Sequence, residues 1–214
     1  MLRISILDQS IGTSGRPQGQ AIRDTLALAK LCDDLGYARF WVSEHHNHPT
    51  ILGTAPEILI SAIGVTTRRI RVGAAGIMLP HYAPFKVAEQ FRVLDALAPG
   101  RIDLGLGRAP GSYGRTAFAL NPLANERPAQ FPSDVRDLMA WVGGEPLPQG
   151  HPFASLRAFP EDETIPEVWM LGSSDYGAQV AAHFGLPYCF AWFFTDGRGG
   201  PEALNLYSEK YQPS

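Results

Sequence analysis

The chain has 214 residues, 45% hydrophobic and 18% charged, with a formal net charge of -3; this content can bury a sizeable core, and the length suits one domain or at most two. The slight acidity and lack of a basic cluster exclude the electrostatic footprint of a nucleic-acid binder, and no stretch approaches the roughly 18 apolar residues of a membrane span. Cys32 and Cys189 lie far apart within apolar segments and the N-terminus shows no cleavage pattern, so a cytoplasmic protein with reduced thiols and no membrane or nucleic-acid partner is expected.

The elements follow in β/α alternation. "RISIL" (3–7) reads as a strand, and 20–36 as a helix carrying Ile22, Leu26, Ala29 and Leu35 at helical spacing, with Gly36 as its stop. "ARFWV" (38–42) is the second strand. Thr54 and Glu57 have capping-box spacing with Pro56 between them, which predicts a helix over about 55–66. "IRVGAA" (70–75) is the third strand, Pro84 opens the next helix through "FKVAEQFRVLDAL", and "RIDLGL" (101–106) is the fourth strand. Residues 107–130 are rich in Gly, Pro and Asn and read as a loop too long for a plain connection, either functional or mobile. A helix near 132–142, loop over 143–165, a strand at 166–171, a helix at 174–185, a strand at 186–194 and a helix near 201–211 complete the pattern. Repeated β/α units with apolar strands imply a parallel sheet covered by helices, either an open doubly wound sheet or a (β/α)₈ barrel with two units unaccounted for.

In either architecture the chemistry gathers at the carboxyl ends of the strands. "FWVSEHHNH" (40–48) sits there, with a carboxylate and three histidines directly after an apolar run. A metal site is the weaker reading, because apart from Asp8 the other strand ends offer amide, hydroxyl, Gly and Arg groups rather than ligands. A single histidine acting as a general base suits the near-neutral pKa of imidazole. Glu44 and one histidine could equally serve only to tie neighbouring loops, which is the reading favoured for His48 beside Pro49. "MLGSSDYGAQ" passes from strand through two serines into a helix, presenting free N–H groups that suit a phosphate, although a plain Ser/Asp cap would look the same. Arg108, after the neighbouring strand, tips that balance towards a phosphorylated cofactor. "GLGRAPG" fails the dinucleotide spacing at Pro110, so no nicotinamide fingerprint is present.

Together "ILDQS", "EHHN", "MLPHYAPFKVAEQFRVLDALAPGRIDLGLGRAPG" and "LGSSDYGAQ" resemble the bacterial luciferase-like, flavin-dependent monooxygenases, in order and placement, over residues 3 to about 213. The resemblance implies one domain over 1–214 with a TIM-like (β/α)₈ barrel fold, here of about six β/α units with the last two missing. It implies reduced FMN (FMNH2) as cofactor, with F420 as the alternative, and O2 and a small organic molecule, an aldehyde in the luciferases, as substrates. A separate flavin reductase would be the partner. The catalytic histidine falls on His45, beside Glu44, and the phosphate-contacting arginine falls on Arg108. The phosphate loop falls on Gly172, Ser173 and Tyr176, and the family's non-proline cis peptide, which supports the flavin ring, falls on Ala75 and Gly76. Trp192 is expected to line the ring and substrate pocket, or else to be core. A homodimer is expected, with "PFKVAEQFRVLDAL" supplying part of its interface. Two other readings stay open: a noncatalytic flavin-binding protein on a shortened scaffold, and a metal-dependent hydrolase using His46 and His48.

Overall fold

The computed structural model describes residues 2–109, 114–124 and 126–213. In chain order it forms β1 (Ser5–Asp8), α1 (Gln18–Leu35), β2 (Arg39–Val42), α2 (Pro56–Thr66), β3 (Arg71–Met78), α3 (Pro84–Leu97) and β4 (Ile102–Gly107). There follow α4 (Gly114–Leu120), α5 (Phe131–Gly143), β5 (Glu167–Gly172), α6 (Asp175–His183), β6 (Tyr188–Phe190) and α7 (Gly200–Lys210). The six strands form one sheet in sequential order, each parallel to the next. Sequential parallel order with helical crossovers is the barrel arrangement rather than the doubly wound one. The sheet runs from β1 to β6 without the two pairing to each other, so the structure is a half-barrel of six β/α units.

The two faces of the sheet differ in chemistry. Phe40, Val42, Val72, Ala74, Ile102, Leu104 and Leu106 alternate onto the outer face, fully buried against α2, α3 and α5 in one contiguous cluster. The intervening residues face inward and include charges: Arg39, Arg71, Asp103 and Glu167 form an ion cluster near the amino ends of the strands. Asp103 is completely buried there; burial raises its carboxyl pKa against the opposing pull of Trp41 and both guanidiniums. At the same end, buried Asp33 at the close of α1 accepts the backbone N–H groups of Arg68, Arg69 and Ile70, which fixes where β3 begins.

Several boundaries differ from the sequence expectation for local reasons. The capping box at Thr54 and Glu57 does not form: proline takes the first helical position, so Ala55 becomes the N-cap and Thr54 lies outside the helix. The long loop after β4 carries α4, with Asn121 donating to the Pro80 carbonyl at 3.0 Å; Pro110 and the rest of 110–113 lie outside the described residues. The third strand runs on to Met78 through a register shift between Ala74 and Ile77. The sixth ends at Phe190, not 194, because its neighbour β5 stops at Gly172, and the chain turns into a short 3-10 segment at Trp192–Phe194.

Candidate functional site

The ends of all six strands border one cleft of about 640 Å³ at the carboxyl edge of the sheet. His45 lies on its wall directly after β2, half-buried, with Nδ1 3.3 Å from Ser43 Oγ. Burial, reinforced by His48 and His46, lowers the imidazole pKa, and the nearby Glu44 charge offsets this only in part. The neutral, proton-accepting form is therefore favoured at neutral pH.

Glu44 points the other way. Its side chain is fully buried and its oxygens take three donors: Tyr82 Oη at 2.7 Å, the Met78 N–H at 2.9 Å, and His46 Nε2 at 2.7 Å in the tautomer that donates. Burial, then the Glu44 charge, push the Tyr82 phenol far above its ordinary value and keep it protonated. The carboxylate thus joins the loop after β2 to the end of β3, the wall that carries the Ala75–Gly76 peptide, which is cis as the resemblance implied.

Opposite this wall lies a cationic, donor-rich end. Arg108 follows β4, is exposed, and stacks its guanidinium 4.0 Å above the Tyr176 ring; among the described residues no carboxylate pairs with it. Gly172, Ser173 and Ser174 lead from β5 into α6, and Ser174, the N-cap in extended conformation, makes no side-chain cap bond. The first-turn N–H groups of α6 are therefore left without that partner, beside a guanidinium.

His45, Ala75, Gly76, Arg108, Gly172, Ser173 and Tyr176 are thus brought together, from segments spread over about 130 residues of sequence. Glu44 borders the same cleft but is held from behind. Trp192 is not brought to it: its indole is 53% exposed and lies against Gly197 and Gly200, while Phe193 and Phe194 line the cleft instead. Strand β6 ends at Phe190 and the chain turns, so Trp192 does not stand at a strand end on the cleft as expected. His46 and His48 do not form a ligand pair, since His46 is tied to Glu44 and His48 Nδ1 accepts the Ile51 N–H at 3.0 Å. Among the described residues no cluster of three or more His, Cys, Asp or Glu could hold a metal ion. Tyr82 and Trp41 were passed over in the sequence. Tyr82 stands in a motif already singled out, but only the folded chain places its hydroxyl against Glu44.

Residues 2–212 match the luciferase-like monooxygenase family as a whole, and the chain belongs to that family. It is 42% identical over 195 residues to the N-acetyl-S-alkylcysteine monooxygenase of Bacillus subtilis (strain 168), covering 91% of this chain and 58% of that one. Apo-MsnO8 superposes on the whole chain with a TM-score of 0.89 at 36% identity, and 62% of its own length is covered. A type II Baeyer–Villiger monooxygenase of Pseudomonas putida, solved with FMN, shares the fold at a TM-score of 0.76 and 19% identity, over 99% of this chain and 64% of that one. The chain spans about three fifths of the length of these relatives. Among the described residues no helix is long and apolar enough to cross a membrane.

Proposed function

We propose that this chain binds FMN in the cleft and serves a flavin-dependent monooxygenase reaction on a small organic substrate. The observation that carries this reading is Arg108, a guanidinium with no carboxylate partner among the described residues, stacked on Tyr176 beside the uncapped amino end of α6. A terminal phosphate fits such a set, with Arg108 supplying charge-assisted bonds and Gly172, Ser173 and α6 supplying N–H and hydroxyl donors. The flavin ring would lie against Ala75–Gly76, with His45 beside it at the end of the neighbouring strand β2. Reduced flavin supplies two electrons and the activation of O2, so that one oxygen atom enters the substrate and the other leaves as water. The chain's own residues orient the ring, hold the phosphate and manage protons. With Nδ1 turned to Ser43, Nε2 is the His45 nitrogen left to exchange a proton with the substrate. The electrons would come from a separate reductase, because the sequence carries no nicotinamide fingerprint.

Titration with FMN and with riboflavin, on the wild type and on Arg108→Ala, tests the site. The variant is expected to lose about tenfold or more in FMN affinity and little for riboflavin, because a charge-assisted contact contributes about 1.5–3 kcal/mol and only FMN offers the phosphate. Equal losses for both ligands would place the phosphate elsewhere, and tighter binding of F420 would change the cofactor.

A further inference from the structure

Trp41 has no place in the chemistry above, yet it is 7% exposed and borders the cleft. Phe40 and Val42 face the helices, so Trp41 faces inward, in register with Leu7 on β1 and Gly73 on β3. Gly73 is required there: a Cβ at this position would run into the carbonyl of Asp103 on β4. The indole extends over that gap, and its Nε1 donates to Asp103 Oδ2 at 2.8 Å. Asp103 is itself fixed by Arg39 and Arg71. On the far side, Trp169 of β5 meets the Trp41 ring edge-on, with centroids 5.2 Å apart, and Arg39 stacks on Trp169 at 4.8 Å. The ring is therefore held from β4 and β5, between the cleft and the ion cluster.

We propose that Trp41 is a specificity-determining residue: its locked indole is the floor of the cleft and limits how far an apolar substrate group can descend towards the amino ends of the strands. This rests on the reading that the cleft is the substrate site. Leu7, Met78 and Trp41 line the way down; the cleft passes the level of the indole only along β1, at Ser5 and Ile6, and beneath the indole itself apolar atoms would meet Arg39, Arg71, Asp103 and Glu167 instead. Burying apolar surface is favourable, whereas separating paired charges with hydrocarbon is not. The substrate class that fits carries an uncharged apolar group of limited length.

Unreactive straight-chain alcohols, from butan-1-ol to decan-1-ol, serve as probes in calorimetric titrations of the wild type, Trp41→Phe and Trp41→Ala. In the wild type, affinity should rise about fourfold per added methylene and then level off when the tail reaches the indole. Trp41→Ala should move that plateau to alcohols longer by about two carbons or more, and Trp41→Phe should move it less in the same direction. FMN affinity is read in parallel. A shifted plateau without FMN binding would sustain the floor and sink the flavin reading, whereas FMN binding with an unmoved plateau would do the reverse. The inference is overturned if the plateau stays put in the folded variants, or if the wild type shows no dependence on chain length. Should Trp41→Ala fail to fold, the Phe variant alone decides.

Discussion

Replacing Glu44 by glutamine changes almost no volume but removes one acceptor. Two donors, Tyr82 Oη and His46 Nε2, converge on Oε1, while the Met78 N–H meets Oε2. The amide would therefore keep its carbonyl where two donors meet and turn its NH2 against the Met78 N–H. One bond to a charged acceptor is lost, about 1.5–3 kcal/mol, and the other two weaken because their acceptor is now neutral. The sum is about 3 kcal/mol in a site with no solvent to compensate. At roughly 2–4 °C per kcal/mol for a chain of this size, the melting temperature should fall by about 6–12 °C. Glu44→Ala, which strands all three donors and leaves a cavity, should cost about 4–5 kcal/mol. Thermal unfolding followed by circular dichroism measures the loss. Hydrogen exchange at the Met78 amide localises it, since protection there should drop before protection in β4 does. A glutamine variant that melts within about 2 °C of wild type with Met78 still protected would falsify the assignment of Glu44 as the acceptor that joins β2 to β3.

His45→Ala should lower substrate oxidation by about 10²-fold while FMN affinity stays within a few-fold, and unchanged turnover in a steady-state assay would remove His45 from the proton-transfer role. Because burial holds the His45 pKa below the ordinary value of about 6.5, the unfolded chain binds more protons just below that pH. Stability from this group is present above about pH 6.5 and is lost as the pH falls towards the folded value; melting temperatures across that window should slope less in His45→Gln, and identical slopes would refute the sign. Gly73→Ala should destabilise by about 1–3 kcal/mol or more and red-shift tryptophan fluorescence as the added Cβ forces β3 from β4, whereas a neutral effect in a chemical melt would contradict the close approach. Ile58, Val93, Leu97 and Phe159 expose apolar surface around the groove between α2 and α3, where two copies are expected to pair. Light scattering should then report twice 23.3 kDa, and a monomer at high concentration would rule the pairing out.

The sequence alone carried the β/α alternation, because strand and helix periods are local properties and the punctuation is explicit: Gly36 closes α1 and Pro84 opens α3. It also carried the convergence of His45, Arg108 and Gly172, since parallel strands joined by helical crossovers put every strand's carboxyl end on one edge. The choice between a barrel and a doubly wound sheet was not legible from those periods, because both are written with the same units; strand order is a relation between distant segments, and here β1 to β6 pair in sequence. Trp192 was misplaced because the end of β6 depends on where β5 stops. Glu44 and Trp41 show the same limit from the side of chemistry. A carboxylate next to a histidine looks catalytic in one dimension, and a tryptophan in a strand looks like core. Apart from His46, two residues on, the donors around the carboxylate, and the glycine and carboxylate that receive the indole, lie 32 to 62 residues away and are brought together only when the parallel strands pair side by side.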